Sequence, residues 1–155
     1  MKKVLSIIAA LSCIAALASC GNQSTSSGGA DPAEIAAALN ESVNFTEELS
    51  AVSDDVLLRR YGLDSDTVEA VSGYVGTPAV VDEIAVFKTS DIEAVEDAAN
   101  ARIESQTTNY LSYAPGEVPK LDDAVVKAVG DCVVVCVSED SSATVTDILS
   151  AFAQD

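Results

Sequence analysis

The sequence predicts an α+β domain: a four-stranded, mainly antiparallel sheet with helices packed on it. The first observation is the order of elements, because after two short N-terminal helices the pattern strand, strand, helix occurs twice. The second is that residues 84–87 and 133–137 are apolar at consecutive positions. Such runs are typical of interior strands that are covered on both faces. We therefore expect one α+β domain over residues 31–155.

Two short helices are predicted before the first strand. Asp31-Pro32-Ala33-Glu34 has the features of a helix start, because Asp is a good cap and Pro is tolerated at the first position. This helix is expected to end near Ser42. The second begins after Ser53 and ends around Tyr61-Gly62. These short helices are candidates to cover the second face of the sheet.

The first strand–strand–helix unit follows. Strands are predicted at 69–75 and 83–88, joined through Gly76-Thr77-Pro78. Ser90 and Glu93 form a capping box that opens the longest helix. Spacings of three and four give this helix one inward stripe: Ile92, Val95, Ala99, Ile103, Gln106, Tyr110 and Tyr113. Pro115-Gly116 then breaks the chain.

The second unit begins with a hairpin. Its strands are predicted at 124–129 and 132–138, with Gly130-Asp131 as the turn. Cys132 and Cys136 lie about 13 Å apart along one strand, whereas the Cα atoms of a disulfide lie about 4.4–6.8 Å apart. We therefore expect two free, buried thiols on the same side of the sheet. A last short helix carries four apolar residues on one side: Val145, Ile148, Leu149 and Phe152.

The N-terminal segment has the pattern of a lipoprotein signal peptide. Lys2 and Lys3 precede an apolar run from Val4 to Leu17, which is shorter than the roughly 20 residues of a membrane-spanning helix. Leu17-Ala18-Ser19-Cys20 then reads Leu, small, small, Cys, as in bacterial lipoproteins, where the cysteine is acylated and becomes the new N-terminus. We predict a signal peptide at 1–19, with Cys20 and a flexible tether at 20–30. The alternative is an ordinary secretory signal with an accidental cysteine.

The mature chain would be strongly acidic. Removing Lys2 and Lys3 leaves six basic residues against 25 acidic ones, a net charge of −19. This excess argues against nucleic acid as a partner, since phosphate contacts need clustered Lys or Arg. It also argues against adsorption to anionic lipid, so the acyl group on Cys20 has to supply the affinity for the lipid bilayer.

The chain has few residues suited to catalysis. It contains no histidine, the usual general base near neutral pH and the commonest metal ligand. Phosphate-binding loops, a nucleophile elbow and a zinc-type cysteine pair are also absent from the sequence. We expect no cofactor, no metal site and no catalytic residue.

Five polar or aromatic residues are candidates for a ligand or partner groove: Glu83, Lys88, Gln106, Tyr110 and Tyr113. Each also has a structural interpretation. Glu83 and Lys88 bracket a strand on opposite faces, Gln106 suits a hydrogen bond to a backbone carbonyl, and the tyrosines suit the core with their hydroxyls at its rim.

Two functions follow from these observations. The first is a non-catalytic binding module for an envelope protein, a peptide or a small ligand outside the membrane. The second is a small hydrolase or transferase that uses carboxylates alone, for example a pair among Glu83, Asp122 and Asp123.

Several motifs together resemble one known family. They are the lipobox, a Gly/Ser spacer, Tyr61-Gly62-Leu63-Asp64, the stretch from Asp82 to Lys88, a long helix ending in tyrosines, and a hairpin at Gly130. The chain resembles, over about residues 31–153, the bacterial lipoproteins that carry domain of unknown function 4358. The resemblance implies a cell-membrane lipoprotein and brings no assigned activity.

Overall fold

The structure is a computed structural model that describes residues 30–153. The predicted signal peptide, Cys20 and nearly all of the tether lie outside the described residues. The helices are α1 (Pro32–Ser42), α2 (Asp54–Tyr61), α3 (Ile92–Tyr113), α4 (Val118–Asp122) and α5 (Ser142–Leu149). The strands are β1 (Ser50–Ala51), β2 (Ala70–Val75), β3 (Glu83–Lys88), β4 (Val125–Val129) and β5 (Cys132–Val137). Within residues 30–153, no helix is both long and apolar enough to cross a membrane.

The sheet is antiparallel throughout and has the strand order β1-β2-β3-β5-β4. It has five strands, so the prediction of four was wrong. The additional strand, β1, has two exposed residues that pair with Val75 and Tyr74 of β2. A strand of two residues has no alternation of polar and apolar positions, so the sequence pattern gives no signal for it.

Helices cover both faces of the sheet. On one face, α1 and α5 pack with β3 and β5 through Ile84, Val86 and Val134. On the other, α2 and α3 pack on Ala85 and Phe87 of β3. The mixed architecture of an antiparallel sheet with helices is therefore confirmed. The two short N-terminal helices do not share one face, since α1 lies beside α5 whereas α2 lies beside α3.

Local signals account for most element ends. Asp31 caps α1 by accepting a hydrogen bond from the Ala33 amide, as predicted. The α3 cap lies one residue later than expected, because the Asp91 carboxylate accepts from the Ala94 amide. Gly130 has φ +60°, the left-handed backbone that the hairpin turn requires and that glycine adopts without strain.

Cys132 and Cys136 are free, buried thiols in the core between the sheet and the α1–α5 face, as predicted. Burial raises the pKa of each thiol to about 12. Because the thiolate is the reactive form, maleimide labelling of the two cysteines near pH 8 should be about three orders of magnitude slower than in denaturant. The measurement is the mass of the two peptides against time, with an added exposed cysteine, Ser105→Cys, as the fast control. Rapid labelling of Cys136 in the native protein would contradict its burial.

Candidate functional site

The start of β3 carries a buried carboxylate that two arginines share. Glu83 Oε1 accepts from Arg102 Nε at 2.9 Å, and Oε2 accepts from Arg102 Nη2 at 2.6 Å. Arg60 Nη2 donates to the same Oε2 at 2.8 Å, and the Tyr61 hydroxyl donates to Oε1 at 2.5 Å. The Glu83 side chain is 4% exposed. We call Arg60, Tyr61, Glu83 and Arg102 the Glu83 cluster.

The electrostatics of the cluster favour a charged carboxylate. Burial alone would raise the pKa of Glu83, but the hydrogen bonds and charge of Arg102, with help from Arg60, outweigh it and hold the pKa below the ordinary value. Burial and the adjacent carboxylate raise the pKa of Tyr61 well above its usual range, so this phenol stays neutral. The Arg102 guanidinium also lies 5.1 Å from the centre of the Tyr61 ring, a cation–π geometry.

This lowered pKa predicts a pH dependence of stability. The folded state holds the Glu83 proton more weakly than the unfolded chain, so the stabilisation is present above the ordinary pKa of 4.5 and is lost as the pH falls through the lower folded pKa. We expect Glu83→Gln to show a shallower fall of the free energy of unfolding between about pH 5 and about pH 3. Urea unfolding at several pH values measures how the free energy of unfolding depends on pH. Glu93→Gln, which removes an exposed carboxylate from α3, is the control, and equal slopes in all three proteins would contradict this assignment.

A small cleft opens beside the Glu83 cluster. Its polar wall is formed by Tyr61, Glu83, Arg102 and Gln106, and its apolar wall by Val81, Ile103, Leu121, Val135 and Val137. The centre of a water molecule has about 10 Å³ of room there, about what one water needs. Gln106 is half-buried, and no group within residues 30–153 forms a hydrogen bond with its side-chain amide. We call this space the Gln106 cleft.

The other predicted groove residues lie in different places. Tyr110 is buried, and its hydroxyl donates toward the carbonyl oxygens of Pro78 and Val80, both at 2.9 Å. Tyr113 is 68% exposed, with its ring edge-on to Tyr110 at 5.7 Å between centroids. Lys88 lies at the opposite end of β3, on the other face, where it forms an ion pair with Asp131. The structure thus brings Glu83 and Gln106 together and leaves Lys88 apart from them.

Sequence reasoning missed a second charged cluster near the start of β3. Lys120 Nζ lies 3.0 Å from Asp82 Oδ1, 2.8 Å from Glu117 Oε2 and 3.1 Å from Glu139 Oε1. The Asp82 side chain is fully buried, and its other oxygen accepts from the Thr46 amide. The hydrogen bonds to these carboxylates raise the Lys120 pKa against the effect of burial. Lys120 therefore ties α4 to the sheet and stays protonated.

Asp122 and Asp123, the other carboxylates considered for catalysis, do not line the cleft beside Glu83. Asp122 and Asp123 are exposed at the end of α4. Asp123 accepts hydrogen bonds from the amide and hydroxyl of Ser142, at the start of α5. Glu83 is instead occupied by its two arginines. No group of His, Cys, Asp and Glu side chains within residues 30–153 is arranged to hold a metal ion.

The sequence analysis also missed three members of the Glu83 cluster: Arg60, Tyr61 and Arg102. Only Arg102 could have been recognised from its position in the sequence. It lies three residues after Ala99 and seven after Val95, so it belongs to the inward stripe of α3. An arginine on a buried stripe requires an acidic partner, and Glu83 opens a strand that is apolar on both faces. From these two observations, an ion pair between Arg102 and Glu83 could have been predicted.

We compared the sequence with models of known protein families, with curated proteins and with solved structures. The family model described as domain of unknown function (DUF4358) matches residues 41–138, nearly two thirds of the chain. The chain belongs to this family. No curated protein and no solved structure matches it. The DUF4358 region contains the Glu83 cluster, the Gln106 cleft and Lys120, whereas Cys20 and α5 lie outside it.

Proposed function

We propose that this protein is a lipid-anchored, extracytoplasmic binding module without catalytic activity. The anchoring part rests on the sequence from Lys2 to Cys20, which has the charge, the apolar length and the small residues of a lipoprotein signal. Two or three acyl chains on Cys20 would hold the domain at the bilayer, since each buried methylene contributes about 0.8 kcal/mol. The tether of ten residues would then place the domain about 17 Å from its anchor.

The binding part rests on the state of the buried ionisable groups. Within residues 30–153, the buried carboxylates Asp82 and Glu83 each face a cation, and Cys132 and Cys136 hold their protons. The lowered pKa of Glu83 and the raised pKa values of the two thiols do not suit a general acid or base near neutral pH. The Gln106 cleft, in contrast, places an amide without an intramolecular hydrogen bond beside an apolar wall, and we infer that this part of the surface contributes to binding.

Site-specific photo-crosslinking in intact cells tests this proposal. A photoreactive residue in place of Tyr113, which is exposed on α3 about two turns after Gln106, should give a discrete crosslinked product in the membrane fraction. The matched control places the same residue at Asp97, an exposed position nearer the start of α3, and should give none. Equal crosslinking from both positions would contradict a specific binding surface here. Recovery of the native chain from the culture medium without acyl mass would contradict the anchor.

A further inference from the structure

One edge of the sheet is long enough to pair with a further strand. The strand order leaves β1 and β4 at the two edges. β1 has two residues, whereas β4 has five, and within residues 30–153 β4 pairs only with β5. Unpaired backbone groups on such an edge are a template for another chain, so proteins commonly shorten their edge strands. We call the free side of Val125–Val129 the β4 edge.

The hydrogen-bond pattern identifies the backbone groups that face outward. The Asp131 carbonyl accepts from the amide of the residue after β3 at 2.9 Å, so the backbone of Asp131 faces β3. The facing direction alternates along a strand, so the backbone of the next residue, Cys132, faces β4, where it pairs with Val129. On β4 itself, the same alternation points the amides and carbonyls of Val126 and Ala128 away from the sheet. Within the described residues, these groups form no backbone hydrogen bond.

Helix packing leaves part of the β4 edge accessible. The helix α5 contacts β4 on one face of the sheet, and α3 contacts it on the other. Ala128 is nonetheless exposed, and Val126 and Lys127 are half-buried. A strand laid along this edge would extend the sheet and would give the outward amides and carbonyls the partners that they lack within residues 30–153.

Lys127 places a positive charge at the centre of the β4 edge. Within residues 30–153 its ammonium forms no ion pair, whereas the other two lysines of the domain, Lys88 and Lys120, both do. Because the backbone groups of Lys127 face β5, an antiparallel strand added at the edge would meet this residue in a non-hydrogen-bonded pair, in which facing side chains lie closest. A carboxylate opposite Lys127 would therefore stabilise the pairing, and a second cation would destabilise it.

We propose that the β4 edge binds an extended segment of another protein as an added antiparallel strand, with an acidic residue of that segment opposite Lys127. The outward groups of Val126 and Ala128 would supply main-chain hydrogen bonds, which give affinity in this mode of recognition, and Lys127 would supply selectivity. The described residues that line the Gln106 cleft include none from β4, so this edge is a binding surface separate from the cleft.

Charge disfavours a second copy of this chain at the β4 edge. Two antiparallel copies that join through their outward groups pair Val126 of each with Ala128 of the other. This register sets the two Lys127 side chains directly opposite each other, and like charges in that position destabilise a strand pair. Removal of the signal would also leave six basic and 25 acidic residues in each chain, so the two domains repel each other. A segment of another protein with a carboxylate at this position avoids the clash of the two lysines.

The experiment selects peptides from a displayed library of random dodecapeptides against the full-length acylated protein in detergent micelles. The parent and Lys127→Glu are used in parallel. We expect the parent to enrich peptides with Asp or Glu between β-branched or aromatic residues, and Lys127→Glu to enrich Lys or Arg at that place. In NMR titrations, the peptide selected on the parent should shift the backbone amides of Val126 and Ala128 and should bind Lys127→Glu about tenfold more weakly.

A matched pair of variants at Ala128 tests the main-chain hydrogen bonds. Ala128→Pro removes one outward amide, and proline is accepted on edge strands where the N–H faces solvent. We expect the selected peptide to bind this variant about tenfold more weakly, whereas Ala128→Ser keeps the amide and should change the affinity by less than about twofold. Circular dichroism establishes that each variant is folded. If Ala128→Pro does not fold, N-methylation of the two peptide residues that flank the acid removes the donors of the peptide instead, and it should weaken binding to the parent.

The outcomes separate the β4 edge from the surface near Tyr113. The same enriched sequence from the parent and from Lys127→Glu, no enriched sequence, or a titration that leaves the amides of Val126 and Ala128 unshifted would overturn strand addition at this edge. A dimer of the purified protein that Ala128→Pro dissociates would also overturn it, because β4 would then pair with a second copy. The crosslink from Tyr113 reports on a different surface, so its presence or absence leaves this result unchanged.

Discussion

Arg102→Met is expected to lower the free energy of unfolding by about 3 kcal/mol at pH 7, the lower end of the cost of breaking a buried ion pair. The variant leaves Glu83, 4% exposed, without its bidentate partner. Arg60 remains in place and limits the loss, but its side chain is 36% exposed and donates one hydrogen bond. Urea unfolding followed by circular dichroism measures the change. Arg59→Met, at an exposed position, should change the free energy of unfolding by less than about 0.5 kcal/mol.

A double-mutant cycle separates the ion pair from the packing of the arginine stem. Glu83→Leu combined with Arg102→Met replaces both charges by apolar groups, which often recovers stability because neither charge is left buried alone. The double variant should therefore be less destabilised than the sum of the two single variants by at least about 1 kcal/mol. Additive losses would show that the carboxylate and the guanidinium do not depend on each other.

The sequence predicted the elements whose signals are local. The strands at 83–88 and 132–137 are runs of β-branched and apolar residues, and β3 has the predicted ends. The long helix has a periodic apolar stripe, and of its seven members only the last, Tyr113, is exposed. Ser90 and Asp91 are adjacent residues that both suit a cap, and sequence alone does not decide between them.

Elements that depend on tertiary contacts were not predictable in the same way. The strand β1 exists because its backbone pairs with β2, and its own side chains are exposed. The helix α4 follows Pro115-Gly116, which the sequence indicated only as a break. This short helix provides Leu121 to the cleft wall and Lys120 to Asp82, so missing α4 also hid part of the site.

The sequence predicted only part of the candidate site, because the rest of the site also depends on tertiary contacts. Glu83 and Gln106 stand out as polar residues in apolar patterns. The partners of Glu83 come from α2 and α3, 23 and 19 residues away along the chain, and their approach depends on how both helices pack on one face of the sheet. Sequence spacing carries no information on that approach. Lys88 was grouped with Glu83 because both flank β3, although the strand separates their side chains onto opposite faces.

Cys20→Ala is expected to abolish acylation and to remove nearly all of the protein from its acylated, membrane-bound form. Acylation needs the thiol, and alanine keeps a small residue while removing it. Under the proposed anchoring, the protein should then either retain its signal peptide or be released, because the strongly acidic domain is repelled by anionic lipid. Intact-mass analysis and separation of membrane from soluble fractions measure both consequences. Cys13→Ala, within the apolar run of the proposed signal, should be processed and acylated as we expect the parent to be.

The Cys20→Ala variant also tests whether the acyl group affects the folding of the domain as well as its location. Cys20 precedes Ala30, the first described residue, by ten positions, and at that end the Cys132 thiol donates a hydrogen bond to the Ala30 carbonyl at 3.3 Å. Loss of the acyl group should therefore leave the domain and its slow thiol labelling unchanged. If Cys20→Ala is cleaved normally and stays in the membrane fraction, the anchor lies elsewhere in the chain. If the parent protein carries no acyl mass, the signal is an ordinary secretory one and the binding site has to be sought in solution.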